Sequence, residues 1–248
     1  MARRAGELQL SRYQNPGEIR EKVPKDFVTE VDLLCEELMV DAIRERYPDD
    51  AILSEERGGS VSEDGRTWLL DPVDGTANFM KANPMFCACV SVIEDGNVTH
   101  AAVAAPRIGD LYHARTRGGA YRETGGKEIP MRVSDTEKLE YAVAGADLSL
   151  HSGKLQDAGV EKVLSGSWQL RALGSAGIRG AWLAAGYLDV SVGTRNTAWD
   201  YAPTVLLVSE AGGRATDLSG EPWGLSSKGL IATNGTMHDE VLETLHST

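Results

Sequence analysis

The sequence predicts a mixed α/β fold on the evidence of three patterns. Residues 29–47 carry apolar side chains at helical spacing, which is typical of an amphipathic helix that packs on a sheet. Residues 86–105 contain two apolar runs joined by a Glu-Asp-Gly-Asn turn, which predicts an antiparallel hairpin. From residue 134 onward, short strand-like and helix-like runs alternate, which predicts a second α/β unit. We therefore expect two parts, residues 1–133 and 134–248.

Each element of the first part has its own local signal. Thr29 is a suitable N-cap for the helix, which we expect to end at Tyr47 because Pro48 restricts the residue before it. The other strands are predicted from short apolar runs at residues 51–53, 68–70, 111–114 and 120–121.

The second part is predicted from the same kinds of run. Strands are expected at residues 141–145, 169–173 and 188–192, and helices at residues 152–164, 175–185 and 201–211. Gly212 and Gly213 follow the last helix and are typical of a helix stop.

Composition excludes several classes of protein. The chain has 248 residues and can bury a substantial core, and its net charge of −12 argues against a nucleic-acid surface. No run reaches the roughly 18 apolar residues of a membrane span. The Arg3-Arg4 start lacks the apolar stretch of a signal peptide. The three cysteines fit neither a disulfide framework nor a zinc pattern. We expect a cytoplasmic protein with reduced cysteines and no membrane partner.

The most informative motif follows the strand at residues 68–70. Asp71 and Asp74 lie three positions apart, and Gly75 and Thr76 follow them directly. Carboxylates are hard oxygen ligands for Mg²⁺, and the backbone N–H groups at the start of a helix bind phosphate. The motif therefore predicts a metal and a phosphate in one place. The simpler alternative is an ordinary turn in which the proline and glycine serve only the backbone.

Two related sites are excluded by spacing. An EF-hand loop requires a bidentate glutamate about six residues after its glycine, where this chain has Lys81. Phosphatases of the haloacid dehalogenase type carry two aspartates separated by one residue, whereas Pro72 and Val73 both intervene here. A calcium loop and a covalent aspartyl nucleophile are therefore disfavoured.

Two further acidic sites accompany the motif. Glu55 and Glu56 follow the strand at residues 51–53, and Asp200 precedes the helix at residues 201–211. Taken alone, the glutamates could be a solvated loop and Asp200 an N-cap. Together with the first motif, they form a set of carboxylates at element ends.

These motifs resemble those of the inositol monophosphatase family of magnesium-dependent, lithium-sensitive phosphatases. The resemblance lies in residues 26–32, 55–56, 68–79 and 199–213, in matching order and spacing, so it covers nearly the whole chain. It implies an α/β (α+β) fold, a five-layer αβαβα sandwich of the inositol monophosphatase and fructose-1,6-bisphosphatase type. It also implies a homodimer with the active site between the two halves. Residues 2–8 resemble the end of the family's first helix, so we expect the chain to begin inside that helix.

The resemblance also implies roles for individual residues. Two or three Mg²⁺ ions are expected, one held by Glu55, Asp71 and the carbonyl of Val73, and another by Asp71, Asp74 and Asp200. Thr76 and Asp32 would orient and deprotonate a water, with Glu55 nearby, so that the catalytic set is Glu55, Asp74, Thr76 and Asp32. The N–H groups of Gly75 and Thr76 would bind the phosphate. For Asp32, the alternative is a helix-dipole carboxylate in the first turn.

Substrate contacts are predicted less fully. Gly174, Ser175 and Ala176 match a family helix start that faces the substrate, although a simple helix cap explains them equally well. Arg195 and its neighbour Asn196 could contact a polar group of the substrate. Lys22 matches a basic residue near the family's site. The alternative for Arg195 and Asn196 is a solvated loop, and the alternative for Lys22 is a side chain that faces solvent.

One position departs from the inositol-specific pattern. Gly193 stands where those members carry a glutamate that binds ring hydroxyls, so inositol 1-phosphate is expected to be a poor substrate. Gly193→Glu is then expected to improve its turnover if the backbone tolerates a side chain.

We therefore predict a Mg²⁺-dependent phosphomonoesterase that hydrolyses a small polyol, sugar or related metabolite phosphate. The alternatives are a histidinol-phosphate or 3′-phosphonucleotide phosphatase of the same family, and a non-catalytic metal- or phosphometabolite-binding regulator.

Overall fold

Two β-sheets and a separate hairpin form the framework, in a computed structural model that describes residues 1–62, 65–146, 159–194 and 197–247. The strands are β1 (Ile19–Val23), β2 (Asp26–Thr29), β3 (Ala51–Ser54), β4 (Gly58–Gly59), β5 (Arg66–Asp74), β6 (Cys87–Glu94), β7 (Asn97–Ala105), β8 (Asp110–Arg115), β9 (Gly119–Thr124), β10 (Lys127–Pro130), β11 (Val143–Ala146), β12 (Gln169–Arg171), β13 (Val190–Gly193), β14 (Arg214–Thr216) and β15 (Leu230–Thr233). The larger sheet has eight strands in the order β10-β9-β8-β7-β6-β5-β3-β4, and the smaller has five in the order β12-β11-β13-β15-β14.

The helices cover both faces of each sheet. They are α1 (Ala2–Ser11), α2 (Glu30–Arg46), α3 (Thr76–Met80), α4 (Val160–Gly166), α5 (Ala176–Ala184), α6 (Ala198–Glu210) and α7 (His238–His246), with a 3-10 turn at Leu139–Tyr141. Within the described ranges, no helix is long and apolar enough to cross a membrane.

Helices and sheets alternate in five layers, as the predicted αβαβα sandwich requires. Helices α1 and α2 pack on one face of the large sheet through residues such as Met39. Helices α5 and α6 lie between the two sheets, where Ile178 and Leu207 are fully buried. Helices α4 and α7 cover the far face of the small sheet through Val163 and Val241. Each sheet thus buries both faces against an apolar helix stripe, which excludes water from the framework.

The strongest local predictions are confirmed. Thr29 is the N-cap of α2, where its side chain accepts a hydrogen bond from the Val31 N–H and Asp32 completes a capping box. The predicted hairpin is β6–β7, and its turn residues Asp95 and Gly96 have φ values of 51° and 76°. Such positive φ values suit the twist of a two-residue hairpin turn.

Other predictions need correction. Helix α6 begins at Ala198 with Thr197 as N-cap, so the N-cap alternative for Asp200 is wrong. The helix predicted at residues 152–164 falls largely on residues 147–158, outside the described ranges, and the described helix is Val160–Gly166. The hairpin β1–β2 and strands β10, β14 and β15 were not predicted. Strand β10 is short and exposed, so it lacks the apolar alternation that would indicate a strand.

Candidate active site

A bulge in β5 brings the two motif aspartates together. Asp71 pairs with Cys89 and Asp74 with Cys87, so two residues of β5 stand opposite one residue of β6. In a regular strand, residues three apart point to opposite faces. The extra residue of the bulge reverses this alternation and places both carboxylates on the same side.

Helix α6 supplies the third carboxylate. Asp71, Asp74 and Asp200 each offer an oxygen within 4.8 Å of the others, although Asp200 is more than a hundred residues away in the chain. Asp200 lies in the first turn of α6, and the Thr197 hydroxyl donates to its Oδ2 at 2.5 Å. Asp71 Oδ1 is buried and has no hydrogen-bond partner among the described residues. An unpaired buried carboxylate oxygen is costly unless a cation binds it.

Asp74 is held by the N-terminus of α5. The Ala176 N–H donates to Oδ1 at 3.0 Å and the Gly177 N–H donates to Oδ2 at 2.7 Å. The hydroxyl of Ser175, which is the N-cap of α5, also donates to Oδ2, as does the Cys87 thiol at 3.2 Å. Ser175 and Ala176, predicted as substrate contacts, therefore bind a predicted metal ligand.

The acidic cluster lines a pocket of about 400 Å³. Its walls include the predicted residues Glu55, Val73, Gly75, Thr76, Gly174 and Ala176. Sequence reasoning missed six residues that also line it, namely Lys25, Asp26, Phe27, Ala77, Ala146 and Ala172. Lys25, Asp26 and Phe27 come from the β1–β2 hairpin, and although residues 26–32 match the family, no residue type there indicated contact with the pocket.

Thr76 and Asp32 are in contact across the pocket wall. Gly75 has a φ of 90° and is the N-cap of α3, which begins at Thr76. The Thr76 hydroxyl lies 3.1 Å from Asp32 Oδ1 and 3.0 Å from the carbonyl oxygen of Val73. The other oxygen of Asp32 accepts from the Thr29 backbone N–H at 3.0 Å. Asp32 therefore both caps α2 and contacts Thr76, while its role in deprotonating a water stays a prediction.

A buried glutamate, not identified from the sequence, anchors the segment that carries Glu55. Glu36 of α2 accepts from the Ser54 hydroxyl and from the N–H groups of Glu56 and Arg57, the latter two at 3.2 Å and 3.0 Å. The four-residue offset between Asp32 and Glu36 was the available signal, because it places both carboxylates on one face of α2.

Lys22 reaches the same segment from the β1–β2 hairpin. Its Nζ lies 3.1 Å from Glu55 Oε1 and 2.9 Å from Glu56 Oε1. Burial lowers the pKa of Lys22, but the two carboxylates outweigh burial and raise it above its ordinary value. Burial raises the pKa of Glu56 to about 7 despite this lysine.

Burial and mutual repulsion raise the pKa of three carboxylates in and beside the acidic cluster. Burial first, and then the charges of Glu55, Asp74 and Asp200, raise the pKa of Asp71 well above its ordinary value. Burial and then Asp74 raise the pKa of Asp200 to about 7. Burial raises the pKa of Asp32 to about 6, although hydrogen bonds to the carboxylate oppose the shift. Such shifts are typical of functional sites.

These shifts predict how stability depends on pH without divalent cations. Asp32 and Asp200 titrate near pH 6 and 7 in the folded protein but near pH 4 in the unfolded chain, so the folded state binds more protons between these values. The free energy of unfolding should therefore fall as pH rises from about 4 to 7. Urea unfolding in EDTA at several pH values measures it. Asp200→Asn should flatten the slope, and a slope of the opposite sign would contradict the assignment.

Three positions named from the sequence remain, namely Arg195, Asn196 and Gly193. Arg195 and Asn196 lie outside the described residues. Gly193 ends β13, and a Cβ added there would lie 2.3 Å from the Tyr201 hydroxyl oxygen and 2.5 Å from its ring. The structure therefore argues against the expectation that Gly193→Glu improves inositol phosphate turnover, because the Tyr201 ring occupies the space that the side chain needs.

Comparison with known proteins places these features in a family. The model of the inositol monophosphatase family matches residues 1–248. A fructose-1,6-bisphosphatase/inositol-1-monophosphatase of Thermotoga maritima is 34% identical over 99% of this chain and 93% of that protein. A histidinol-phosphatase of Mycobacterium tuberculosis is 32% identical over 89% of this chain and 85% of that protein.

Solved structures agree. The extragenic suppressor protein SuhB of Bartonella henselae superposes with a TM-score of 0.91 at 26% identity, covering 99% of this chain and 95% of that one. Sequence and fold agree over the whole length, and the carboxylates of the motifs converge in one pocket. The chain belongs to the inositol monophosphatase family of phosphatases.

Proposed function

We propose that this chain is a Mg²⁺-dependent phosphomonoesterase that hydrolyses a small polyol, sugar or related metabolite phosphate. The observation that carries the proposal is the convergence of Asp71, Asp74 and Asp200, with Asp71 Oδ1 buried and unpaired among the described residues. A site that concentrates negative charge in a pocket must bind cations before it can accept a phosphate dianion.

The residues present fit Mg²⁺. The donors are all oxygens, which suits a hard cation that binds few protein ligands. Glu55, Asp71 and the Val73 carbonyl would hold one ion, and Asp71, Asp74 and Asp200 a second. When bound, such ions neutralise phosphoryl oxygens and lower the pKa of a water. The hydrogen bonds from α5 leave Asp74 little freedom to turn, which would keep its oxygens aligned for coordination.

Thr76 and Asp32 would remove the proton of the attacking water. The Thr76 hydroxyl can donate to Asp32 Oδ1 while its lone pair accepts from a water in the pocket. As the water proton passes to Thr76 Oγ1, the threonine proton passes to Asp32, so Asp32 ends as a neutral carboxyl and the negative charge passes to the attacking oxygen. The pKa of Asp32, about 6, suits a base that works near neutral pH. Backbone N–H groups at Gly75 and Thr76 would bind the phosphate.

Thr76→Ala tests this relay. We expect kcat to fall by roughly 10²- to 10⁴-fold, the range for lost acid/base assistance, with a smaller change in KM. Steady-state kinetics at saturating Mg²⁺ measures both, and titration calorimetry should show nearly unchanged Mg²⁺ affinity. Thr116→Ala, at an exposed position, is the matched control. An unchanged kcat in Thr76→Ala would restrict Thr76 to a structural role.

The substrate class follows from the size and chemistry of the pocket. A volume of about 400 Å³ accommodates a small metabolite. The absence of a carboxylate at Gly193 argues against a site specialised for inositol hydroxyls. The names of the relatives add fructose 1,6-bisphosphate and histidinol phosphate as candidates.

A substrate panel tests the proposal as a whole. Phosphate release should be measured for inositol 1-phosphate, fructose 1,6-bisphosphate, histidinol phosphate and 3′-phosphoadenosine 5′-phosphate, with Mg²⁺ and with excess EDTA. We expect Mg²⁺-dependent release, with inositol 1-phosphate at least about tenfold below the best substrate in kcat/KM, or roughly 1.4 kcal/mol. Full activity in EDTA, or no release from any ester, would contradict the proposal.

Two further points are proposed from the family. We propose a homodimer, to be tested by light scattering after size exclusion. We also propose that residues 1–133 and 134–248 are the two functional halves, because the strands of the large sheet all precede residue 134 and those of the small sheet all follow it.

A further inference from the structure

A second group of metal-ligating side chains lies on three neighbouring strands of the large sheet. His113 is on β8, Glu123 on β9 and Glu128 on β10. Glu123 pairs directly with Glu128, and His113 pairs with Tyr121, two residues before Glu123. Strand alternation therefore puts all three side chains on one face. None of the three lines the pocket of the acidic cluster.

The electrostatics of this group are unbalanced. Two glutamates that face each other directly across strands repel, which destabilises the pair unless a cation lies nearby. Arg3 binds Glu123 through Oε2 at 2.5 Å, but Oε1 of the same carboxylate faces His113 instead. Among the described residues, the partner that the structure gives Glu128 is His113. A site that takes a cation would relieve this repulsion.

The histidine nitrogen between the carboxylates makes no hydrogen bond. His113 Nε2 is buried and has no hydrogen-bond partner among the described residues, although Glu128 Oε1 lies 3.1 Å away. The distance between the nitrogen of His113 and this oxygen is short enough for a hydrogen bond, so the angle between the two groups is unsuitable. The ring itself is fixed, because it stacks on Tyr121 with centroids 5.7 Å apart.

The distances come within a few tenths of an ångström of those around a shared metal. His113 Nε2 lies 3.1 Å from Glu128 Oε1 and 3.5 Å from Glu123 Oε1. Zinc binds nitrogen and carboxylate oxygen at about 2.0–2.2 Å, so two ligands of a tetrahedral ion lie roughly 3.3–3.5 Å apart. In that geometry each oxygen would lie off the axis of the Nε2 lone pair, which agrees with the missing hydrogen bond. All three ligand atoms lie within 4.8 Å of one another.

We propose that His113, Glu123 and Glu128 form a second divalent-metal site that is selective for Zn²⁺ or a similar borderline transition metal. One imidazole and two carboxylates leave the fourth position to water, which the adjoining cavity of about 730 Å³ can supply, since His113 and Glu128 line it. The nitrogen ligand disfavours Mg²⁺, which prefers oxygen. The ion would link β8, β9 and the exposed edge strand β10, and so stabilise that edge of the sheet.

Metal titration of the full chain tests the site. Zn²⁺ binding should be measured by calorimetry in the Asp71→Asn background with excess Mg²⁺, so that the acidic pocket does not compete. We expect one Zn²⁺ per chain. In both His113→Gln and Glu128→Gln, the Zn²⁺ affinity should fall by at least about tenfold to a hundredfold. His100→Gln, which alters another histidine lining the same cavity, is the matched control and should bind normally. Co²⁺ should give the intense visible absorption of a tetrahedral site only when His113 is present.

Two outcomes would overturn the proposal. If no Zn²⁺ binds in the Asp71→Asn background, the three side chains are only a polar cluster on the sheet and not a metal site. If Zn²⁺ binds with equal affinity in His113→Gln, it occupies another position. Glu128 is exposed, so Glu128→Gln tests the site even if His113→Gln fails to fold.

Discussion

Asp71→Asn is expected to abolish phosphatase activity while the protein remains folded. Asp71 is the carboxylate shared between both proposed ions, and asparagine keeps its volume but removes its charge. Its buried Oδ1 has no hydrogen-bond partner among the described residues, so the oxygen is available to a metal. Without divalent ions, the substitution should raise the melting temperature, because it removes the cost of burying this carboxylate and its repulsion by Glu55, Asp74 and Asp200.

Two measurements separate catalysis from folding in this variant. Phosphate release from the best substrate should fall below detection, and calorimetry should show weakened Mg²⁺ binding. Thermal unfolding in EDTA should show the gain in stability. Asp49→Asn, at an exposed aspartate, is the matched control and should change neither quantity. Substantial activity in Asp71→Asn would contradict the proposed ligand set.

Gly193→Glu is expected to destabilise the fold severely. A Cβ at this position would lie 2.3 Å from the hydroxyl oxygen of Tyr201, which is itself buried in the core between the sheets. Packing a larger side chain into a filled core costs about 1–3 kcal/mol, and a glutamate adds an unpaired buried charge. We expect a loss of about 3 kcal/mol or more, and no gain in turnover of inositol 1-phosphate.

Denaturant unfolding measures this loss, and the chain offers a matched control. A Cβ added at Gly224 meets nothing within 4 Å, so Gly224→Glu should leave the free energy of unfolding nearly unchanged. Gly193→Ala should already be destabilised, since the clash begins at Cβ. A stable Gly193→Glu protein with improved inositol phosphate turnover would show that Tyr201 moves aside.

Local signals made the pieces of the site predictable. The N-cap at Thr29, the hairpin turn at Asp95 and Gly96, and the helix start at Ser175 depend on neighbouring residues, and each is found where the sequence predicts it. The acidic motifs were identified for the same reason, since their spacing along the chain is visible without a fold.

Contacts between distant segments were not predictable. The hydrogen bonds of Asp74 to α5 join residues about a hundred positions apart, and nothing in the sequence near Ser175 indicates that its hydroxyl donates to Asp74 rather than to a substrate. The same holds for Glu36. In the sequence it is one more charged residue on α2, whereas in the structure the turn at Ser54 packs against it. The packing of the chain determines such partners, because any of several carboxylates could accept hydrogen bonds from the same donors.

The sequence by itself determined the family, the α/β class and the set of carboxylates, because those depend on residue types and their spacing. Only the tertiary structure decided how the set works together. The bulge in β5 turns Asp71 and Asp74 to the same side, α6 carries Asp200 to them, and Tyr201 closes the space beside Gly193. These outcomes depend on which surfaces meet when water is excluded from the core, and that is a property of the whole chain.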